Sequence, residues 1–204
     1  MAAFFYGTLL HPEILKRVIG NDGSHLNVCA ALLPEYTRHQ VKLADYPGIV
    51  PYSRSKTMFD HELDLEERSV RGSLVTGLTA ADMKLLDIFE GDEYIRDSVL
   101  VHPLTPLVSL DVSGSGVDLV PSTPPPVPDP ADLAEPIKAA TYVWCKPLSE
   151  LRAQLWSFEE FVKYNAWKWV GKGAESNKDY VEIDRRLQME GIITSRGEAN
   201  GNEE

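Results

Sequence analysis

The chain has 204 residues, 43% of them hydrophobic and 25% charged, with two cysteines and a formal net charge of −11. That balance suits one globular domain, and its acidity argues against nucleic acid or an anionic membrane as partner, since both need basic patches that release counterions. Cys29 and Cys145 are too few for a disulfide framework, no C-x-x-C or His-rich spacing suggests a metal, and no apolar run reaches the roughly 18 residues of a membrane span. The first residues lack the basic and long apolar regions of a signal peptide, so a cytoplasmic enzyme or binding protein is the expected class.

In chain order, Ala2 to Tyr6 is short, apolar and aromatic. Gly7-Thr8-Leu9-Leu10 then leads to Pro12, a residue type that suits the first turn of a helix. The pattern predicts strand, tight turn, and a helix to about Ile19 that Gly20 stops. Such a turn can aim the backbone N–H groups of Gly7, Thr8 and Leu9 at a ligand oxygen, with no Gly7 side chain to block the approach. It is also the form of a plain connection, and neither G-x-x-x-x-G-K nor G-x-G-x-x-G is present.

Asn27 to Lys42 alternates loosely enough for two strands. Asp45 to Pro51, with Pro47 and Gly48 at its centre, reads as a turn, and Tyr46 is open to either core or pocket. Val70 to Leu78 reads as a strand in which Gly72 signals a bulge or a close backbone approach.

Thr79, with Asp82 three residues on, makes a capping box for a helix over Ala80 to Glu90, and Gly91 is expected to end it in the left-handed conformation. On the helical wheel Glu90 falls roughly 20° from Met83 and roughly 40° from Leu86, at the border of the apolar stripe. Two readings follow: a glutamate that snorkels outward into solvent, or a half-buried carboxylate with a raised pKa, suited to take a proton near neutral pH. Periodicity does not choose between them.

Tyr94 to Val101 gives another strand, in which Arg96 can reach a carboxylate or remain solvated. Pro103 to Pro136 holds nine of the 14 prolines and no aromatic residue, lysine or arginine, and is expected to be a surface insertion with almost nothing to bury. Ala140 to Cys145 reads as a strand. Ser157 and Glu160 then form a capping box for a helix with Phe158, Phe161 and Val162, extended by Trp167 and Trp169 and read as core cover. A further helix over Tyr180 to Met189 and a frayed polar tail over 190–204 complete a single expected domain over 1–204, with 103–136 as its insertion.

Phe5-Tyr6-Gly7-Thr8-Leu9, the Tyr46-Pro47-Gly48 turn, Val70-Arg71-Gly72 and Leu86-Asp87-Ile88-Phe89-Glu90-Gly91-Asp92-Glu93-Tyr94-Ile95-Arg96 carry a resemblance in their order and spacing. Across residues 4 to 102 the chain resembles the γ-glutamylcyclotransferase-like family, specifically its AIG2-like branch. Tyr142-Val143-Trp144 and the helix from Trp156 to Phe161 are similar to the C-terminal part of plant and fungal members, whereas the Pro-rich insertion departs from the pattern.

The resemblance implies an α+β fold: a small mixed, mostly antiparallel β-barrel flanked by helices, with C-terminal helices and a pocket at one end. It implies that Tyr6, Gly7, Thr8 and Leu9 cradle a γ-glutamyl group and that Glu90 is the acid/base, with Leu10, Tyr46, Tyr94 and Arg96 completing the substrate-binding set. The reaction implied is release of 5-oxoproline, as the substrate's α-amine attacks its own γ-carbonyl. An α-ammonium near 7.7 against about 4.3 for an ordinary glutamate leaves about 3.4 units, or about 4.6 kcal/mol uphill, which partial burial of Glu90 would shrink. This chemistry asks for no cofactor and no metal, and the expected partner is a small γ-glutamyl amine or peptide. Two other functions are compatible with the same residues: a non-catalytic binding or regulatory protein that kept the pocket, and a carboxylate-assisted amide hydrolase or cyclase acting on a specialised metabolite.

Overall fold

A computed structural model describes residues 1–44, 46–110 and 124–156 of the chain. The strands are β1 (Ala2–Phe5), β2 (Asn27–Pro34), β3 (Tyr36–Val41), β4 (Pro47–Pro51), β5 (Ser69–Thr76), β6 (Tyr94–Pro103), β7 (Val108–Ser109), β8 (Ile137–Trp144) and β9 (Leu151–Leu155). The α-helices are α1 (Pro12–Ile19), α2 (Tyr52–Ser55) and α3 (Ala80–Glu90). The expected helices after Ser157 and the tail over 190–204 lie outside the described residues.

Five strands run in the order β5-β1-β8-β6-β2, and β2 pairs back onto β5, closing a barrel. Among the described residues only β1 and β8 are parallel, while β1–β5, β2–β5, β2–β6 and β6–β8 are antiparallel. Closure removes the unpaired edges that an open sheet of this size would present. A second sheet, in the order β4-β3-β9, lies beside it, and the barrel with its helices is the α+β architecture expected.

Alternation along the strands divides the core. Phe4 and Tyr6 share a buried cluster with Cys29, Leu33, Ile49 and Leu74, whereas Ala3 and Phe5 belong to a second cluster with Leu10, Ile14 and Leu15 from the first helical region and Met83 and Leu86 from α3. Glycine meets a strict requirement at one point: a Cβ on Gly72 would sit 2.2 Å from the Phe5 carbonyl oxygen. The close backbone approach expected there is the reason for the residue.

Two expectations need correction. Pro47 to Pro51 is not a turn but a strand, paired antiparallel with β3 from Tyr36↔Pro51 to Gln40↔Pro47. β4 lies on the edge of its three-stranded sheet, where a proline's missing N–H costs no ladder bond, so the two prolines bracket a strand without interrupting it. The second concerns the Pro-rich stretch from Pro103, whose beginning is built into the barrel: Val108–Ser109 pairs with β2 and Leu110 is 3% exposed.

Candidate active site

Helix α3 places the first candidate residue. The Thr79 hydroxyl accepts from the Asp82 N–H at 3.1 Å and the Asp82 carboxylate accepts from the Thr79 N–H at 2.8 Å, the reciprocal capping box expected. The helix ends at Glu90. Gly91 has the positive φ foreseen, 66°, but a ψ of −154°. It is therefore not left-handed helical but in a region open essentially to glycine alone, and the chain continues through a tight turn at Gly91–Glu93 directly into β6. This reversal brings Glu90, Glu93 and Tyr94 into one neighbourhood.

Glu90 is half-buried. Its residue surface keeps some solvent contact, yet partial burial, reinforced by the nearby Glu93 carboxylate, pushes its pKa up to about 8. A solvated rim glutamate would show neither effect.

Three tyrosines close enough to feel the Glu90 charge all send their hydroxyl protons elsewhere. Tyr6 Oη donates to the Tyr142 carbonyl at 2.6 Å, Tyr94 Oη to the Pro47 carbonyl at 2.9 Å, and Tyr142 Oη to Asp87 Oδ1 at 2.9 Å. Burial, with Glu90 adding to it, drives the pKa of each phenol upward, so all three stay protonated. Among the described residues no donor satisfies the Glu90 carboxylate. With no described donor to offset it, burial raises the pKa of the group.

Gly7, Thr8 and Leu9 stand where the residues suggested, between β1 and α1. Thr8–Leu10 forms a single 3-10 turn, with Leu10 N–H donating to the Gly7 carbonyl at 3.0 Å. The Thr8, Leu9 and Leu10 side chains are all buried, so what these residues can offer a ligand is backbone. At Gly7 the neighbour a side chain would strike is Pro47, whose Cγ lies 3.0 Å from an added Cβ. Tyr46, just before β4, donates to Glu93 Oε2 at 2.9 Å and so fixes the second carboxylate beside Glu90.

Arg96 on β6 pairs with Asp87 Oδ2 at 2.9 Å, both side chains about two-fifths exposed (43% and 41%). The structure thus joins Arg96 to the site indirectly, through Asp87 and Tyr142. Residue pattern did not single out Asp87, Glu93, Tyr142 or Arg38, whose guanidinium holds the Tyr6 carbonyl at 2.8 Å. Asp87 stands three residues before Glu90 on the same helical face, and Glu93 and Tyr142 lie within the stretches that carry the family resemblance.

Residues 3–111 match the family model described as γ-glutamyl cyclotransferase, AIG2-like. Among curated proteins, "Protein AIG2 C" of Arabidopsis thaliana is 26% identical over 167 residues, covering 82% of this chain and 75% of that protein. "AIG2-like protein C" of the same plant is 27% identical over 185 residues, covering 90% and 79%. A solution structure of an Arabidopsis thaliana protein superposes with a TM-score of 0.50 at 22% identity, covering 90% of this chain and 83% of that one, a likeness of fold. The chain belongs to the γ-glutamyl cyclotransferase, AIG2-like family.

Proposed function

We propose that the protein is a γ-glutamyl cyclotransferase that releases 5-oxoproline from a γ-glutamyl amine or peptide, with Glu90 as general acid/base and the backbone of Tyr6 to Leu9 as the cradle. The observation that carries this reading is the pKa of Glu90, pushed up to about 8. An α-ammonium titrates near 7.7, so the deficit of about 4.6 kcal/mol facing an ordinary glutamate closes to about zero. A carboxylate matched to the amine can take its proton as it attacks the γ-carbonyl, then return it to the departing amine. Charge developing on the γ-carbonyl oxygen is met by backbone N–H groups of the Gly7-Thr8-Leu9 turn. Both reacting groups belong to one substrate, so a pocket that holds it bent supplies much of the remaining barrier reduction. Tyr94 and Tyr46 line the approach, the latter through Glu93.

The productive state holds one proton between Glu90 and the amine. Turnover therefore follows a bell centred near pH 8: below it both groups are protonated, above it neither is. The test is a panel of γ-glutamyl peptides, γ-glutamyl amines and simple amides assayed for 5-oxoproline against free glutamate. Release of 5-oxoproline is expected from at least one γ-glutamyl compound. Free glutamate instead points to amide hydrolysis, and binding of the compounds with no product points to a non-catalytic pocket.

A further inference from the structure

Arg38 lies in β3, with its guanidinium turned to the place where β1 ends. Nη1 donates to the Tyr6 carbonyl oxygen at 2.8 Å and to the Arg71 carbonyl oxygen at 3.2 Å. The guanidinium covers the Trp156 ring at 4.8 Å from its centroid, while the Trp156 N–H donates to the Arg38 carbonyl at 2.9 Å. Burial lowers its pKa to about 10. Among the described residues no carboxylate forms an ion pair with it.

A half-buried cation, desolvated enough to lower its pKa and held by main-chain carbonyls in place of a carboxylate, is an expensive arrangement. What it grips gives the reason. The Tyr6 carbonyl and the Gly7 N–H belong to one planar trans peptide and point to opposite sides of it. Holding the oxygen against Arg38 therefore fixes the direction of the Gly7 N–H. Glycine has the least backbone preference of its own, so an outside contact must supply that orientation. A cation on the carbonyl oxygen also polarises the peptide and makes its N–H a stronger donor.

We infer that Arg38 is a positioning residue of the cradle: by gripping the Tyr6 carbonyl it aims the Gly7 N–H at the oxygen of the γ-glutamyl group. The inference rests on the cyclotransferase reading, and two readouts separate its failure from the failure of that reading. In the first, 5-oxoproline release is measured for wild type, Arg38→Ala and Arg38→Lys, each checked for a native melting transition. A folded Arg38→Ala should lose about 10²-fold in kcat/KM, the scale of one misplaced oxyanion donor, with the pH profile set by Glu90 unmoved. Added guanidinium should restore part of the loss. Arg38→Lys should recover less than an order of magnitude, because an ammonium lacks the planar fork, and it supplies the readout if the alanine variant does not fold.

The second readout needs no turnover. The residual dipolar coupling of the Gly7 N–H in nitrogen-15-labelled protein reports that bond's direction, which should change in the variants while couplings in α3 do not. If wild type releases no 5-oxoproline on any substrate, the functional reading falls and this coupling alone decides whether Arg38 orients the peptide. An unchanged Gly7 coupling in a folded variant overturns the inference, whatever happens to turnover.

Discussion

Asp82 and Glu90 stand at opposite ends of α3, roughly two turns apart, the first buried and the second half-buried. Asp82 is 3% exposed and accepts four hydrogen bonds: from Thr79 N–H and Oγ1 at 2.8 Å each, from Asn21 Nδ2 at 2.9 Å and from His25 Nε2 at 3.2 Å. Burial pushes its pKa up, but the bonds from Thr79, His25 and Asn21 outweigh that and hold it below the ordinary value. Among the described residues Glu90 has no such donors, and burial, with the Glu93 charge, takes its pKa up to about 8. The less exposed of the two residues has the lowered pKa and the half-buried one the raised pKa, a contrast that follows hydrogen-bond supply. One carboxylate is consumed in holding the helix, and the other is kept available for a proton.

The largest expected effect separates these roles. Glu90→Gln keeps size and removes the proton acceptor, so it should cost about 10²- to 10⁴-fold in 5-oxoproline release. Folding should move the other way at high pH. A folded pKa raised from 4.5 to about 8 means that the stability this group contributes is fully present below about pH 4.5 and is lost as pH rises through about 8. The Gln variant lacks that loss, so its melting temperature should exceed that of wild type at pH 9. A variant that loses turnover and stability together across all pH would place Glu90 with Asp82 as a structural residue.

Asp82→Ala should show the reverse. It strips the cap and orphans donors from Asn21 and Thr79, at a cost of about 2–4 kcal/mol in chemical denaturation. Any protein that remains folded should keep the pH profile of wild type. The sign of its pH dependence is also opposite: stability from Asp82 is present above the ordinary aspartate value and disappears as pH falls through its lowered pKa. Melting curves between pH 2 and 5 should therefore converge for wild type and Asp82→Ala as acid is added.

Glu93→Gln tests the second cause of the Glu90 shift. Removing a like charge should lower the Glu90 pKa, moving the acidic limb of the pH–rate profile downward while burial keeps it above an ordinary glutamate. An unmoved limb would leave burial as the sole cause. The smallest effect belongs to Arg96→Lys. Its pair with Asp87 is about two-fifths exposed (43% and 41%), so the change should cost under about 1 kcal/mol in stability and alter turnover little. A large loss of turnover without loss of stability would put Arg96 in direct contact with substrate.

Much of this contrast could be read from residues alone, and the limits have physical causes. The capping pair Thr79 and Asp82 set the start of α3, and the wheel position of Glu90 between Met83 and Leu86 marked it as a border residue, because both signals are local. Whether that border is wet or dry depends on Tyr6, Tyr94 and Tyr142, which arrive from three different strand regions of the fold. No local pattern carries that. Tyr36-Thr37-Arg38-His39-Gln40 is polar at nearly every position, yet Thr37 and His39 are fully buried, linked by a 2.8 Å hydrogen bond, and Arg38 reaches across to the Tyr6 carbonyl. Pro47 and Gly48 signalled a turn because propensity does not reveal that a strand will lie on a sheet edge. Gly72 was legible as a close approach, but the Phe5 carbonyl that makes it necessary was not.

The most direct measurement is a titration of the Glu90 carboxyl carbon by nuclear magnetic resonance in protein labelled at glutamate side chains, with Glu90→Gln assigning the signal. A midpoint near pH 8 is expected, because burial and the neighbouring Glu93 carboxylate both disfavour its charge. A midpoint near the ordinary 4.5 would mean that Glu90 is solvated, and with it would go the matched proton transfer on which the proposed reaction depends.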